Sequence, residues 1–350
     1  MRVVVVGASG NVGTSVLREL AEEPAVDSVV GVCRRVPSLR FPKVEWRAAD
    51  VAVSPLEPLF RDADAVVHLA WLIQPGRDRE QIRQVNVHGS ERVFQAAARA
   101  GVRSLVYASS VGTYAPGPKD RRVDETWPVT GVETSFYSRD KAAVEALLDR
   151  FEVEHPAVRV VRLRPGLIFS REAASEIRRL FAGPLVPGTL LRPRFVPLVP
   201  RVERLEFQAL HSRDVARAYR LALTGEARGA FNLAAEPVIA TEQLRQLFRA
   251  RSVPLPARVL RTAAAATFRL HLQPSEPGWL DMALDVPLMD TSRARSELGW
   301  SETRSSVEAL AELLDGLREG AGLETPPLEP GGAGPLRLRE LLSGVGSRLG

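Results

Sequence analysis

Short β-branched runs alternate with amphipathic stretches through the first half of the chain. Val3-Val4-Val5-Val6 opens the series, a run that suits a strand buried on both faces of a parallel sheet. Ser28-Val29-Val30-Gly31-Val32-Cys33, Val44–Val51, Ala65–Ala70 and Val102–Ser109 repeat the signal. Between them, Thr14–Glu22 and Arg79–Ala100 carry helical periodicity. Strand and helix in strict alternation is the rhythm of right-handed parallel crossovers, so the pattern predicts an α/β fold with a doubly wound parallel sheet.

After Pro165-Gly166 the rhythm breaks. Phe181–Pro200 is crowded with Pro, Leu and Arg and reads as irregular. The strand pattern returns at Phe207–His211, followed by a helix over Ser212–Leu223 and a strand at Ala230–Leu233; the remainder to about Gly320 reads as mostly helical. These shifts divide the chain into a first domain over 1–166, rejoined by 204–235, and a smaller, mostly helical substrate lobe over 167–203 and 236–322. Residues 323–350 read as a Pro- and Gly-rich linker with a loose amphipathic helix at its end. The chain's 350 residues, 45% of them hydrophobic, are enough to bury a large core in this arrangement.

Glycines define the first loop. Gly7-Ala8-Ser9-Gly10-Asn11-Val12-Gly13 joins the first strand to the first helix, with Gly7, Gly10 and Gly13 in the spacing Gly-x-x-Gly-x-x-Gly. Lacking side chains, they let the backbone approach a pyrophosphate at the helix N-terminus, where free N–H groups and the dipole favour negative charge. An NAD-specific site commonly places Asp or Glu about 20 residues further on, to hold the ribose 2′-hydroxyl. Cys33 stands there instead, followed by Arg34 and Arg35, either of which could pair with a 2′-phosphate. The expected cofactor is therefore NADP, with NAD as the alternative. Asp50, at the end of the third strand, could accept from the adenine amino group or serve as a turn residue.

Tyr137-Ser138-Arg139-Asp140-Lys141 supplies the candidate chemistry. On a helix, positions i and i+4 share a face, so Tyr137 and Lys141 present their polar ends to one spot. A phenol with a pKa near 10 is a poor acid-base group at neutral pH, and an adjacent ammonium or an oxidised nicotinamide would bring it toward the working range. Lys43, Lys119 and Lys141 are the only lysines among 47 basic residues, and Lys141 stands where a compact ammonium is of use.

Taken in order, these motifs resemble the extended short-chain dehydrogenases/reductases, the NAD-dependent epimerase/dehydratase family. The matching residues run from the Gly7–Gly13 loop through Asp50-Val51, His68-Leu69-Ala70, Asn86-Val87-x-Gly89, Ser109-Ser110-x-x-x-Tyr114, Tyr137-x-x-x-Lys141 and Arg164-Pro165-Gly166 to His211–Ala216 and Leu298-Gly299-Trp300. The resemblance implies a Rossmann-type domain, with Tyr137 as the general acid-base. It implies further that Lys141 holds the nicotinamide ribose and that Ser110 hydrogen-bonds the substrate oxygen. Ser110 is preferred to Ser109 because it lies four before Tyr114. The implied cofactor contacts are Gly7, Ser9, Gly10, Asn11, Val12 and Gly13; Arg34, Arg35, Asp50 and Val51; Leu69, Ala70, Asn86 and Ala108; and Tyr137, Lys141, Pro165 and Gly166, with Asn86 also a structural helper in its helix. Trp71, where many relatives have a small residue, and Cys33 depart from the pattern.

Three functions compete. The first is an NADP-dependent carbonyl reductase or alcohol dehydrogenase, and the second a nucleotide-sugar epimerase that retains NAD. The third, a redox-sensing binder without catalysis, is disfavoured because such proteins usually lose the Tyr or the Lys. Classical dehydration is also disfavoured, since Val111-Gly112 replaces the Asp-Glu pair beside the serine in dehydratases. A net charge of +5 raises nucleic acid as a partner, but the charges are interspersed and no aromatic-basic cluster accompanies them. One cysteine and five scattered histidines exclude an internal disulfide and offer no metal-ligand spacing. No apolar run reaches a membrane-spanning length, and the N-terminus enters the first strand at once, so the expectation is a cytoplasmic protein without a membrane partner. Family resemblance and the apolar helix Val85–Ala100 suggest a homodimer acting on a small molecule.

Overall fold

The valine run forms the centre of the sheet. In the computed structural model, which describes residues 1–73, 78–182, 195–273 and 275–330, strand β1 spans Arg2–Val6, and its valines are buried. It lies between β2 (Ser28–Cys33) and β4 (Ala65–His68), with β3 (Val44–Ala48), β5 (Ser104–Ala108), β6 (Arg159–Pro165) and β7 (Gly229–Leu233) completing a seven-stranded sheet in the order β7-β6-β5-β4-β1-β2-β3. Every pairing in it is parallel. Two apolar clusters cover its faces. One packs against the helices Asn11–Glu22 and Ser212–Thr224, the other against Gly89–Arg99 and Phe136–Glu154. This is the Rossmann-type α/β fold.

Register sets where a ligand can bind. Val6 pairs with Val32 on one side and His68 on the other, so the loops after β1, β2 and β4 emerge together at the carboxyl edge. The strand order reverses direction there, between β1 and β4, and such a switch point opens a crevice.

The second lobe is less helical than its sequence suggests. Phe207–His211, expected to rejoin the first domain, instead pairs with Leu167–Phe169 and Ala235–Ile239 in a three-stranded sheet backed by the helix Ser306–Glu319. Gly229–Leu233 does enter the large sheet. Two further pairs, Leu198–Arg201 with Arg251–Pro254 and Arg122–Val123 with Leu288–Met289, are strands too short or too Pro-rich to show a period.

Three other expectations change. The helix over Arg79–Ala100 is interrupted by a π-turn at Gln84–His88, where the Asn86 side chain clamps both backbone groups of Leu72 at 2.7 and 3.1 Å. The apolar face that suggested a homodimer is consumed in the core, since Val85, Val87, Val93, Phe94, Ala96 and Ala97 are all buried there. The start of the expected linker is packed rather than free. Thr325 and Leu328 are buried, and Ser175 Oγ donates to the Leu328 carbonyl at 2.8 Å. Residues 183–194 and 331–350, which hold most of the irregular stretch and the expected terminal helix, lie outside the described residues.

Candidate active site

The glycine loop is built for close approach. Gly7 adopts φ +90°, and a Cβ there would lie 2.6 Å from the Ala70 backbone nitrogen; one at Gly13 would lie 2.5 Å from the Gly7 carbonyl oxygen. No other residue type fits these positions, so the loop, the Asn11–Glu22 helix and the end of β4 stay in backbone contact. Beside them runs a cleft walled by Gly7, Ser9 and Gly10 on one side and Cys33, Arg34, Asp50 and Val51 on another. Leu69, Ala70 and Trp71 continue it toward the middle of the sheet edge. The bare-backbone cradle and the switch-point position fit a dinucleotide.

Other expected contacts do different work. Asn11 accepts from Ser170 Oγ at 2.9 Å, and Val12 packs on the core. Arg35 is exposed, and its carbonyl accepts the Cys33 thiol at 3.2 Å; the lining includes Arg34 and not Arg35. Asp50 forms a turn, its Oδ1 accepting from the Ala52 N–H at 2.9 Å, while also facing the cleft. Pro165 ends β6, and Gly166 lets that strand pass Gln208, whose carbonyl would lie 2.4 Å from a Cβ.

Ser110, Tyr137 and Lys141 come together at the carboxyl end of β5. The Tyr137 phenol lies beside Ser110, whose hydroxyl draws its pKa down, and Ser110 Oγ accepts the Gly112 N–H at 3.0 Å. Gly112, in the sequence notable only as half of the pair that replaces Asp-Glu, has a structural part here. A Cβ on it would sit 2.9 Å from the Tyr137 ring, so the glycine is what lets the phenol lie against this turn. Aromatic walls flank the phenol: Trp279 at 4.7 Å between ring centroids and Trp71 at 6.0 Å, edge-on. Trp71 was visible in the sequence as a departure; Trp279, from a distant segment, gave no signal.

Lys141 is engaged away from the phenol. Its ammonium donates to the Ala108 carbonyl at 2.7 Å and lies 3.5 Å from the centroid of the Trp71 ring. Burial pulls it down to about 7, against the opposing pull of Glu145 and Asp140. Burial pushes the Tyr137 phenol up to about 12, and only the Ser110 hydroxyl opposes the rise. The ammonium, 5.9 Å from the centroid of the Tyr137 ring, is directed at the Ala108 carbonyl and the Trp71 face. In this structure the phenol stays protonated at neutral pH.

One turn further along the same helix face stands Glu145, also passed over although it continues the i, i+4 series. Its carboxylate accepts from Ser109 Oγ at 2.5 Å, from Arg164 Nε and Nη2 at 2.9 and 3.0 Å, and from Arg162 at 2.9 Å. Burial alone would raise it, but Arg164 and Arg162 overcome that and hold it at about 2. Arg164 also donates to the Tyr114 hydroxyl at 3.1 Å, which donates to Asn232 at 2.6 Å. Ser109 is thus bound into a buried network under the sheet edge, leaving Ser110 as the serine that faces Tyr137.

The sequence profile of the NAD dependent epimerase/dehydratase family matches residues 3–234. The chain belongs to that family. As an epimerase/dehydratase-family enzyme it is an NAD-using oxidoreductase or epimerase of the extended short-chain class. It is 27% identical to an uncharacterized protein of Mycobacterium tuberculosis over 94% of this chain and 86% of that protein. Over 106 residues, 30% of each chain, it is 35% identical to the decarboxylating sterol-4-alpha-carboxylate 3-dehydrogenase of Candida albicans. In fold it resembles the Thermus thermophilus UDP-glucose 4-epimerase in complex with NAD, with a TM-score of 0.66 at 21% identity over 91% of this chain and 99% of that one. Among the described residues no helix is long and apolar enough to cross a membrane, and no cluster of His, Cys, Asp and Glu could hold a metal ion.

Proposed function

We propose that this family member is an NADP-preferring carbonyl reductase or alcohol dehydrogenase for an apolar secondary alcohol or ketone, with Tyr137 moving the proton. The observation that carries the reading is the Tyr137 phenol, set beside Ser110 and edge-on to Trp71, which lines the dinucleotide-shaped cleft. A bound nicotinamide supplies the hydride. Ser110 and Tyr137 together orient a substrate oxygen, and a neutral phenol gives that oxygen its proton, which is the direction of carbonyl reduction. Lys141 would hold the nicotinamide ribose once its ammonium is shared with it. Tyr137→Phe is expected to lower turnover on a ketone panel by about 10²–10⁴-fold with cofactor affinity nearly unchanged; activity within about tenfold of wild type overturns the role.

Preference for NADP is supported by Cys33 in place of a carboxylate and by Arg34 in the cleft wall. A charge-assisted contact to the 2′-phosphate contributes about 1.5–3 kcal/mol, so NADP should bind roughly ten- to a hundredfold more tightly than NAD. Arg34→Ala should remove most of that difference, and equal binding of the two by the wild-type chain defeats the preference. The second reading, a nucleotide-sugar epimerase, draws on the UDP-sugar epimerases that share the fold and would turn over without net cofactor consumption. The small-molecule substrate follows from either reading, and the homodimer rests on family resemblance alone.

A further inference from the structure

Between Gln243 and Ser275 the chain contains no Asp or Glu and six arginines, although elsewhere its charges are interspersed. Arg245 is paired with Glu242 and Arg261 with Asp281. The other four, Arg249, Arg251, Arg258 and Arg269, have no carboxylate within ion-pair distance among the described residues.

The helix in this stretch, Ala257–Arg269, has no fully buried residue. Leu260, Ala264, Thr267 and Phe268 face the lobe and are partly covered. The opposite stripe is apolar too. Val259, Ala263, Ala266 and Leu270 recur at i, i+4, i+7 and i+11, and all are exposed, Val259 at 49% and Leu270 at 68%. Leu272 follows at 44%, and Val253 at 43% and Leu198 at 54% stand on the adjoining two-stranded sheet, where Leu198 pairs with Arg251. A helix apolar on both faces needs a cover on each, and here one face has none among the described residues.

We propose that this face, Val259–Leu270 with the Arg251–Pro254 strand, docks on an anionic membrane surface. The stripe runs about 16 Å along the helix, enough to lie in the headgroup boundary with arginines reaching the phosphates. Charge complementarity selects the occupant. A second copy seated on the same stripe would bring Arg258 and Arg269 of each chain against each other, and the helix that carries them has no carboxylate of its own, Glu203 lining the adjoining hollow with Arg258. Nucleic acid would leave Val259, Ala263, Ala266 and Leu270 without an apolar partner. Surface docking requires no spanning segment. It also reaches the site: Arg261 grips Asp281 at 2.7 and 2.9 Å, and the helix Pro277–Asp285 that carries Asp281 also carries Trp279, the wall of Tyr137. The docked face thus lies one helix away from the Trp279 wall of Tyr137.

The test is flotation of the full chain with phosphatidylglycerol/phosphatidylcholine vesicles and with phosphatidylcholine alone, cofactor binding being measured on the same samples. The wild-type chain is expected to float with the acidic vesicles and far less with the neutral ones. Val259→Asp with Leu270→Asp, and separately Arg258→Gln with Arg269→Gln, should each lower that partition at least about tenfold while cofactor affinity stays unchanged. Flotation indifferent to acidic lipid, or unaltered by both pairs of substitutions, overturns the proposal. So does a concentration-dependent dimer abolished by the aspartates, or duplex DNA binding tighter than vesicle binding. The docking is independent of the reaction at Tyr137, so either can fail alone: a catalytically inert wild type that still floats defeats only the reaction.

Discussion

Two arginine-rich regions of this molecule are built in opposite ways. Under the Tyr137 helix, Arg162 and Arg164 are buried and matched to carboxylates, with Glu145 shared between them. In the Gln243–Ser275 stretch, Arg258 and Arg269 stand exposed beside uncovered apolar side chains. The same residue type is a structural cement in the first place and an open contact in the second. Pairing and burial, not composition, separate the two.

The largest way to break this contrast is to unmatch the buried region. Glu145→Ala leaves two buried guanidinium groups without their shared carboxylate and is expected to cost about 3–5 kcal/mol in denaturant unfolding, with Ser110 losing its fixed position as Ser109 is released. Acid sharpens the same point. The folded carboxyl sits at about 2 against an ordinary 4.5, so its ion pairs stabilise the fold fully above the ordinary value and are lost as pH falls toward 2. Stability of the wild type should decline through that window, and Glu145→Gln should flatten the decline; an unchanged slope places the acid sensitivity elsewhere. At the small end, Arg258→Gln with Arg269→Gln should change unfolding free energy by no more than about 0.5 kcal/mol. A larger loss means those arginines are paired within the fold, and the contrast collapses.

Much of the large sheet was legible because its signals are local. β2 begins and ends where the Ser28–Cys33 pattern does, and the glycine loop sits between strand and helix as its spacing requires. The Tyr137–Lys141 spacing located the site for the same reason, since one helix carries both. What escaped depends on distant partners. Trp279 meets Tyr137 from a helix more than a hundred residues away in sequence. Glu145 is an ordinary helix glutamate until Arg162 and Arg164, on the neighbouring strand, are placed against it. Phe207–His211 has the strand pattern of its neighbours, and only tertiary pairing decides which sheet it joins.

The packed segment at the end of the described chain bears on time rather than on affinity. Pro327 forms part of the cleft lining, and its carbonyl accepts from Arg179 at 2.8 Å while Leu328 is wholly buried behind it. Withdrawing Leu328 costs about 1.5–3 kcal/mol, and each of the two hydrogen bonds that hold the segment adds about 1 kcal/mol. An opened segment is then populated only about once in several hundred to several thousand molecules. If a dinucleotide leaves the cleft past Pro327 it does so through that rare state, and Leu328→Ala should then speed its release in a stopped-flow displacement measurement.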